Sequence, residues 1–235
     1  MLKKFLLATA LAAMAATPTL AQDAPEQAAD ATEQAVPSRP SSNYATIDYN
    51  LQEDRDNILF LDLSNGRRVA IRLMPDWAPN HVERIKTLAR QGFYDGVIFH
   101  RVIEGFMAQT GDPTGTGQGG SELPDLEEEF NPMPHVRGSV SMARAQSEDS
   151  ANSQFFIVFY PRFSLDKNYT NFGRVIEGMD AVDTIVRGEP PTNPTRIVQA
   201  SIASDNKPAP SPAALAPQPE QPITAADLRA SSSQD

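Results

Sequence analysis

Two side chains that could act on a substrate lie symmetrically about a glycine in the middle of the chain. Arg101 stands four residues before Gly105, and Gln109 stands four residues after it. The β-branched and apolar residues on both sides predict two strands that turn near the glycine, which sets Arg101 and Gln109 opposite each other on one face. Met107 shares that face, because side chains repeat every second residue along a strand. This set offers one cation but no nucleophile, acid or base, which does not favour a hydrolase.

Two longer motifs contain these residues and resemble the signature of cyclophilin-type peptidyl-prolyl isomerases. The first is residues 99–112 (FHRVIEGFMAQTGD), and the second joins residues 138–144 (GSVSMAR) to residues 152–157 (NSQFFI). The resemblance extends over about residues 57–202. It implies a mainly-β fold, namely a closed eight-stranded antiparallel β-barrel capped by two α-helices, with the active site on the outer face. It also implies rotation about Xaa-Pro peptide bonds, with no cofactor and no metal.

The resemblance assigns roles to individual side chains. Arg101 corresponds to the catalytic arginine, and Gln109 corresponds to the residue that orients it. The substrate-binding positions correspond to Phe106, Met107, Gly115, Ala143, Arg144, Gln154, Phe156, Leu165 and Tyr169. Among these, the apolar residues would grip the proline ring, and Gln154 would reach the substrate backbone. The motif itself gives Arg101 no acidic neighbour, so we expect its charge to serve a ligand.

Several positions depart from the pattern of many cyclophilins. Arg144 replaces an asparagine of the better-known eukaryotic members, in a contact that is largely main-chain. Ser164 replaces a tryptophan, and Tyr169 replaces a histidine. Tyr169 would still supply an aromatic wall, with Phe163 compensating in part for the missing indole. His100 is expected to be a structural neighbour of the site.

Two other function classes stay open. A module that grips Xaa-Pro segments without turnover would need the same apolar pocket, but it has no need of a positioned cation, so Arg101 and Gln109 favour the enzyme. A barrel that binds a small apolar ligand would require an open interior. A protease-coupled isomerisation assay separates the first alternative from the enzyme.

Phosphate and metal sites are disfavoured. The glycine-rich residues 112–120 follow a strand into a loop and lack the Lys-Ser/Thr of a P-loop. The acidic residues 127–129 predict a solvated loop, and the three histidines of the chain do not suggest convergent ligands. His81 is expected at the surface.

The scaffold is predicted as short strands with two helices. Residues 58–63 and 67–73 flank Asn65-Gly66, a strong hairpin signal. Pro79 opens a helix that ends at Gly92, and a second helix runs over residues 179–186. The other predicted strands are residues 97–103, 106–112, 140–143, 155–159, 171–176 and 197–202.

Both ends of the chain differ in composition from the middle. Residues 1–21 carry Lys3 and Lys4, a short apolar run and small residues before Gln22, which predicts a cleaved secretory signal peptide. Residues 22–44 predict a flexible linker, residues 45–203 the isomerase domain, and residues 204–235 a Pro/Ala-rich disordered tail. We therefore expect the protein to be exported to the periplasm and to have no membrane anchor after cleavage.

Charge and cysteine content limit the partners. The formal net charge is −10, and removal of Lys3 and Lys4 leaves 18 basic against 30 acidic residues. Such a chain repels nucleic acid and anionic membranes. The chain has no cysteine, so it forms no disulfide. The expected partners are proline-containing peptides and unfolded proteins, and the expected state is a monomer.

Overall fold

The computed structural model describes residues 46–211 and Ala214. The predicted signal peptide, residues 1–21, and the whole of the predicted linker, residues 22–44, lie outside the described residues. The elements in chain order are β1 (Ile58–Leu63), β2 (Arg68–Leu73), α1 (Pro79–Arg90), β3 (Arg101–Ile103), β4 (Met107–Thr110), β5 (Ser139–Met142), β6 (Phe155–Val158), β7 (Asn171–Glu177), α2 (Met179–Asp183) and β8 (Ile197–Ile202). Among the described residues, no helix has the length and hydropathy needed to cross a bilayer.

The eight strands form one antiparallel sheet in the order β3-β4-β6-β5-β7-β2-β1-β8. The predicted mainly-β fold with eight antiparallel strands and two helices is confirmed, but the closed barrel is wrong: the sheet is an open half-barrel. Its edges are β3 and β8. The predicted strand over residues 97–103 is regular only at Arg101–Ile103. Residues 96–99 instead make single backbone hydrogen bonds to Thr195 and to Ile197, the first residue of β8. Ile98 forms one isolated bridge with Arg196, so no continuous ladder forms there.

The first hairpin forms as predicted around Asn65-Gly66. Gly66 has φ of 82°, which an L side chain rarely adopts, and Leu63 N–H donates to Arg67 O over 2.8 Å. The interior of the sheet is packed with fully buried aliphatic side chains and the aromatic rings of Tyr94, Phe155 and Phe172. The rings meet edge to face at 5.6 Å and 6.1 Å between centroids. This filled interior removes the open cavity that a small-ligand barrel would require.

Helix α1 begins with Pro79, as predicted, and buries a stripe of apolar residues against the core. Its N-cap residue, Ala78, has no side-chain oxygen to accept the backbone N–H groups of the first turn, and Glu129 takes over that role. The Glu129 carboxylate accepts the backbone N–H groups of Asn80 and His81, each over 3.1 Å, and lies 2.6 Å from His81 Nδ1. His81 is therefore fully buried, and its predicted surface position is wrong. The burial lowers the pKa of His81.

The C-terminal boundary of the domain extends past the last strand. Helix α2 has only five residues, shorter than the predicted 179–186. Residues 204–208, the first part of the predicted tail, contact the domain: Asp205 pairs with Arg90, and Gln199 donates to Pro208 O over 2.9 Å. The rest of the predicted tail after residue 211 lies outside the described residues, apart from Ala214.

Candidate active site

The hairpin of β3 and β4 places the two polar side chains as their spacing predicts. Arg101 pairs directly with Gln109 across the ladder, and Ile103 pairs with Met107. Gly105 sits in the turn with φ of 69°. Because side chains on one strand face alternate, Arg101, Gln109 and Met107 share the outer face of the sheet.

A cavity of about 750 Å³ opens on this outer face. It is lined by ten of the eleven residues assigned from sequence: Arg101, Phe106, Met107, Gln109, Gly115, Ala143, Arg144, Phe156, Leu165 and Tyr169. Gln154, the eleventh, lines an adjoining cavity that shares Gln109, Gly117, Ala143 and Arg144 with the first. The two motifs therefore converge on one site although they are separated in sequence.

The floor of the cavity is apolar and rigidly packed. Met107, Phe156 and Leu165 are 2%, 5% and 9% exposed and form a cluster separate from the sheet interior. Tyr169 packs edge-on against Phe156, with ring centroids 5.6 Å apart, and supplies the expected aromatic wall. Phe163 is 64% exposed and is not among the residues that line the cavity. This floor has the shape and chemistry to hold a small apolar ring.

Arg101 has an acidic partner that lies outside the motif. Its Nε donates to Glu189 Oε2 over 2.7 Å, and the two side chains are 42% and 51% exposed. The contact uses one of the five guanidinium N–H donors. Within residues 46–211, the Nη groups meet no protein acceptor, so they can serve a ligand in the cavity.

Gln109 and Gln154 form a short chain of side-chain amides. Gln109 Nε2 donates to Gln154 Oε1 over 2.9 Å, and Gln154 Nε2 donates to the carbonyls of Gly119 and Gly117 over 2.7 Å and 3.1 Å. The amides thus tie strand β4 to the glycine-rich loop. The Gln109 side chain donates to Gln154 and makes no described hydrogen bond to Arg101, so the orientation of Arg101 by Gln109 stays a prediction.

Asp112 anchors the glycine-rich loop from inside. Its buried carboxylate accepts from Thr114 N and Oγ1 over 2.7 Å each, from Gly117 N over 2.6 Å and from Gly119 N over 3.1 Å. Burial by itself raises the pKa of Asp112, but the hydrogen bonds from Thr114, Gly119 and Gly117 outweigh it and hold the pKa at about 2. The loop N–H groups are therefore occupied by the protein, which argues against a phosphate site.

Arg144 leans against the aromatic wall. Its guanidinium carbon lies 5.0 Å from the centre of the Tyr169 ring, and its Nε donates to Asn168 O over 3.0 Å. The backbone next to it is also engaged, because Ala143 N donates to Gln154 O over 2.9 Å. The charge of Arg144 is thus present at the rim of the cavity.

A hydrogen-bonded Asp-His-Ser chain supports the floor from behind. His135 Nδ1 lies 2.8 Å from Asp166 Oδ1, and its Nε2 lies 2.9 Å from Ser141 Oγ. The His135 ring stacks on Phe156 with centroids 6.4 Å apart, and burial lowers its pKa. Ser141 is completely buried, so this arrangement cannot present a nucleophile to a substrate. It is a packing support.

Five lining residues were not assigned from sequence: His100, Thr116, Gly117, Glu189 and Pro190. His100 is 4% exposed, burial lowers its pKa, and neither ring nitrogen has a partner within the described residues. Thr116 and Gly117 could have been found from Gly115, which lies beside them. Glu189 and Pro190 reach the site only through tertiary pairing: Val102 and Gly188 exchange two backbone hydrogen bonds.

Comparison with known proteins gives a consistent result. Residues 60–202 match the family model described as cyclophilin type peptidyl-prolyl cis-trans isomerase/CLD. A probable peptidyl-prolyl cis-trans isomerase of Brucella suis is 48% identical over 170 residues, covering 66% of this chain and 86% of the relative. Peptidyl-prolyl cis-trans isomerase B of Bacillus subtilis is 42% identical over 128 residues, covering 54% of this chain and 89% of the relative.

Two solved structures are similar to the chain. Cyclophilin AquaCyp293 from Hirschia baltica has a TM-score of 0.61 and 32% identity, covering 66% of this chain and 77% of its own. A Cryptosporidium parvum cyclophilin type peptidyl-prolyl cis-trans isomerase, solved in the presence of the dipeptide Ala-Pro, has a TM-score of 0.58 and 28% identity, covering 62% of this chain and 98% of its own.

Proposed function

The chain belongs to the cyclophilin-type peptidyl-prolyl cis-trans isomerases and is such an isomerase, and we propose that it acts outside the cytoplasm on polypeptides that are folding there. Its substrates are Xaa-Pro segments of unfolded proteins, and it works as a monomer without a membrane anchor. The observation that carries the isomerase activity is the position of Arg101 at the edge of an apolar floor on the outer face of the sheet. The Cryptosporidium parvum structure with Ala-Pro supports a proline-containing ligand.

The site fits the physical requirements of amide rotation. The barrier of about 18 to 20 kcal/mol comes from amide resonance, and no covalent bond has to break. A turnover of about 10³ s⁻¹ requires a barrier near 13 kcal/mol, so the protein must lower it by about 6 or 7 kcal/mol. It does so by binding the twisted amide better than either planar form.

Arg101 supplies the transition-state contact. As the amide twists, the proline nitrogen becomes pyramidal and regains a lone pair, while the carbonyl swings through an arc. A guanidinium whose Nη donors meet no acceptor among residues 46–211 can follow both atoms, and in a partly desolvated site such a contact supplies roughly half of the required stabilisation. The floor of Met107, Phe156 and Leu165 supplies the rest by holding the proline ring in place while the carbonyl moves.

The location outside the cytoplasm is supported by the sequence of the N-terminus. Residues 1–21 combine two lysines, a short apolar run and small residues at the junction with Gln22. The net charge after removal of Lys3 and Lys4 keeps the protein away from anionic membrane surfaces. Cell fractionation of the producing bacterium should place the protein in the periplasmic fraction. Recovery in the cytoplasm alone would contradict this part of the proposal.

A protease-coupled isomerisation assay on residues 22–235 tests the activity. We expect the protein to accelerate cis-to-trans conversion of a short Xaa-Pro peptide, and also the proline-limited phase in the refolding of an unrelated polypeptide. If the peptide binds but neither process is accelerated, the protein is a module that only binds Xaa-Pro segments.

A further inference from the structure

A short segment before β8 lies antiparallel to the β3–β4 hairpin and is held to it by three successive residues. Arg187 Nε donates to Glu104 Oε2 over 2.7 Å, and Glu189 Oε2 accepts from Arg101 Nε over 2.7 Å. Between them, Gly188 and Val102 exchange backbone hydrogen bonds of 2.8 Å and 2.9 Å. The backbone pairing of Gly188 with Val102 places the Glu189 backbone beside Arg101. The Glu189 carboxylate therefore lies within hydrogen-bond reach of the Arg101 guanidinium.

Gly188 allows the segment to turn back toward the cavity. It has φ of 144°, and a Cβ at this position would lie 2.6 Å from Pro191 Cα. Only glycine fits there. Because of this turn, Glu189 and Pro190 line the cavity together with Arg101.

The contact at Nε constrains Arg101 in a specific way. A free arginine side chain samples many rotamers, and ordering it costs conformational entropy. A carboxylate on Nε fixes the plane of the guanidinium near its stem, which leaves the two Nη groups free to meet a ligand. Gln109, the cross-strand neighbour of Arg101, donates its amide to Gln154. Among the described residues, Glu189 is the one whose side chain accepts a hydrogen bond from the Arg101 guanidinium.

We propose that Glu189 is a positioning residue for the isomerisation: its carboxylate, delivered by the 187–189 segment, holds the Arg101 guanidinium in the orientation that serves the twisted amide. The proposal rests on the role given above to Arg101. Since both side chains are about half exposed, the pair contributes little to the stability of the fold. Its effect falls on the arrangement of the site, because the orientation is set before substrate arrives.

The chain contains a matched control in the Arg187–Glu104 pair. This pair has the same donor atom and the same 2.7 Å distance, and it ties the same segment to the same hairpin. Neither residue lines the cavity that contains Arg101. If Glu189 acted only by clipping the segment down, loss of Glu104 would have the same consequence.

The experiment measures kcat and KM separately for Glu189→Ala, Glu189→Gln and Glu104→Ala on a short Xaa-Pro peptide. Glu189→Ala should lower kcat about 3-fold to 10-fold with less than about a twofold change in KM, since the lost orientation acts on the twisted amide. Glu189→Gln keeps an oxygen that accepts from Nε, so it should return kcat to within about twofold of the unmodified protein. Glu104→Ala should leave both constants unchanged, and all three variants should unfold at the same temperature as the unmodified protein.

Several results would overturn the proposal. These are equal effects of Glu189→Ala and Glu104→Ala, a kcat that rises or stays constant in Glu189→Ala, and a loss in Glu189→Gln as large as in Glu189→Ala. An Arg101→Ala variant measured in parallel separates this failure from failure of the proposed function. If Arg101→Ala loses activity and Glu189→Ala does not, only the positioning role is wrong. If Arg101→Ala keeps its activity, the role of Arg101 itself is wrong.

Discussion

Replacement of Asp112 by asparagine should loosen the glycine-rich loop that forms one wall of the cavity. The buried carboxylate accepts hydrogen bonds from Thr114, Gly117 and Gly119. An asparagine has one acceptor oxygen, so its amide nitrogen would face N–H donors and leave at least one of them without a partner. Because Gly115, Thr116 and Gly117 line the cavity, the variant should bind substrate more weakly as well as unfold more readily.

The magnitude follows from the pKa of Asp112, which lies at about 2 against an ordinary 3.8. A shift of this size corresponds to about 2 to 3 kcal/mol of stability from the ionised carboxylate. The folded-state pKa is depressed, so this contribution is fully present above about pH 4 and is lost as the pH falls toward 2. Asp112→Asn should therefore be about 2 to 3 kcal/mol less stable than the unmodified protein at pH 7, with the difference shrinking below pH 4.

Urea unfolding at a series of pH values measures this difference, with kcat and KM measured at pH 7. Asp149→Asn is the control, since Asp149 is exposed and accepts a single backbone hydrogen bond, from Glu128 N over 3.0 Å. We expect a several-fold rise in KM for Asp112→Asn and none for Asp149→Asn. A stability difference for Asp112→Asn that is the same at pH 7 and pH 2.5 would show that the ionised carboxylate is not the source, and an unchanged KM would separate the loop from substrate binding.

Three further outcomes are expected. Mass spectrometry of the native protein should show residues 1–21 absent, and a mature chain that retains them would overturn the export assignment. Cyclosporin should inhibit the protein weakly, and Ser164→Trp should tighten the inhibition. The reason is that an indole adds a hydrogen-bond donor and apolar contact worth a few kcal/mol. Equal inhibition of both forms would remove that argument. Phe156→Leu should raise KM several-fold with kcat less affected, since Phe156 is 5% exposed, lines the cavity and packs on Tyr169; a fall in kcat alone would contradict its role in the floor.

The parts of the site that depend on local geometry were predictable from the sequence. The equal distances of Arg101 and Gln109 from Gly105 fix their pairing once a hairpin forms, and the alternation of side chains then places Met107 on the same face. The remaining lining residues were assigned from the resemblance of the two long motifs to the family signature. Strand periodicity likewise located most of the sheet, with β8 matching its predicted bounds.

The parts that depend on distant contacts were not predictable. Glu189 meets Arg101 across 88 residues of sequence, and nothing near Arg101 in the chain indicates it. Glu129 caps α1 from 48 residues away and buries His81, although the acidic run around it has the composition of a solvated loop. The prediction of a closed barrel was wrong for a related reason. Residues 97–100 have strand-like composition, but the residues before β8 make only single hydrogen bonds to them instead of a continuous ladder.

The central claim is that Arg101 stabilises the twisted amide, and kcat/KM of Arg101→Ala tests it most directly when measured beside thermal unfolding. The ion pair with Glu189 is half exposed, so its loss should change stability by less than about 1 kcal/mol and leave the melting temperature nearly unchanged. Loss of the contact to the amide should lower kcat/KM by roughly 30-fold to 1000-fold, or about 2 to 4 kcal/mol. Arg101→Lys should recover little of this, because a point charge cannot follow both nitrogen and carbonyl. Near-full activity of Arg101→Ala, or a loss explained by unfolding, would contradict the account.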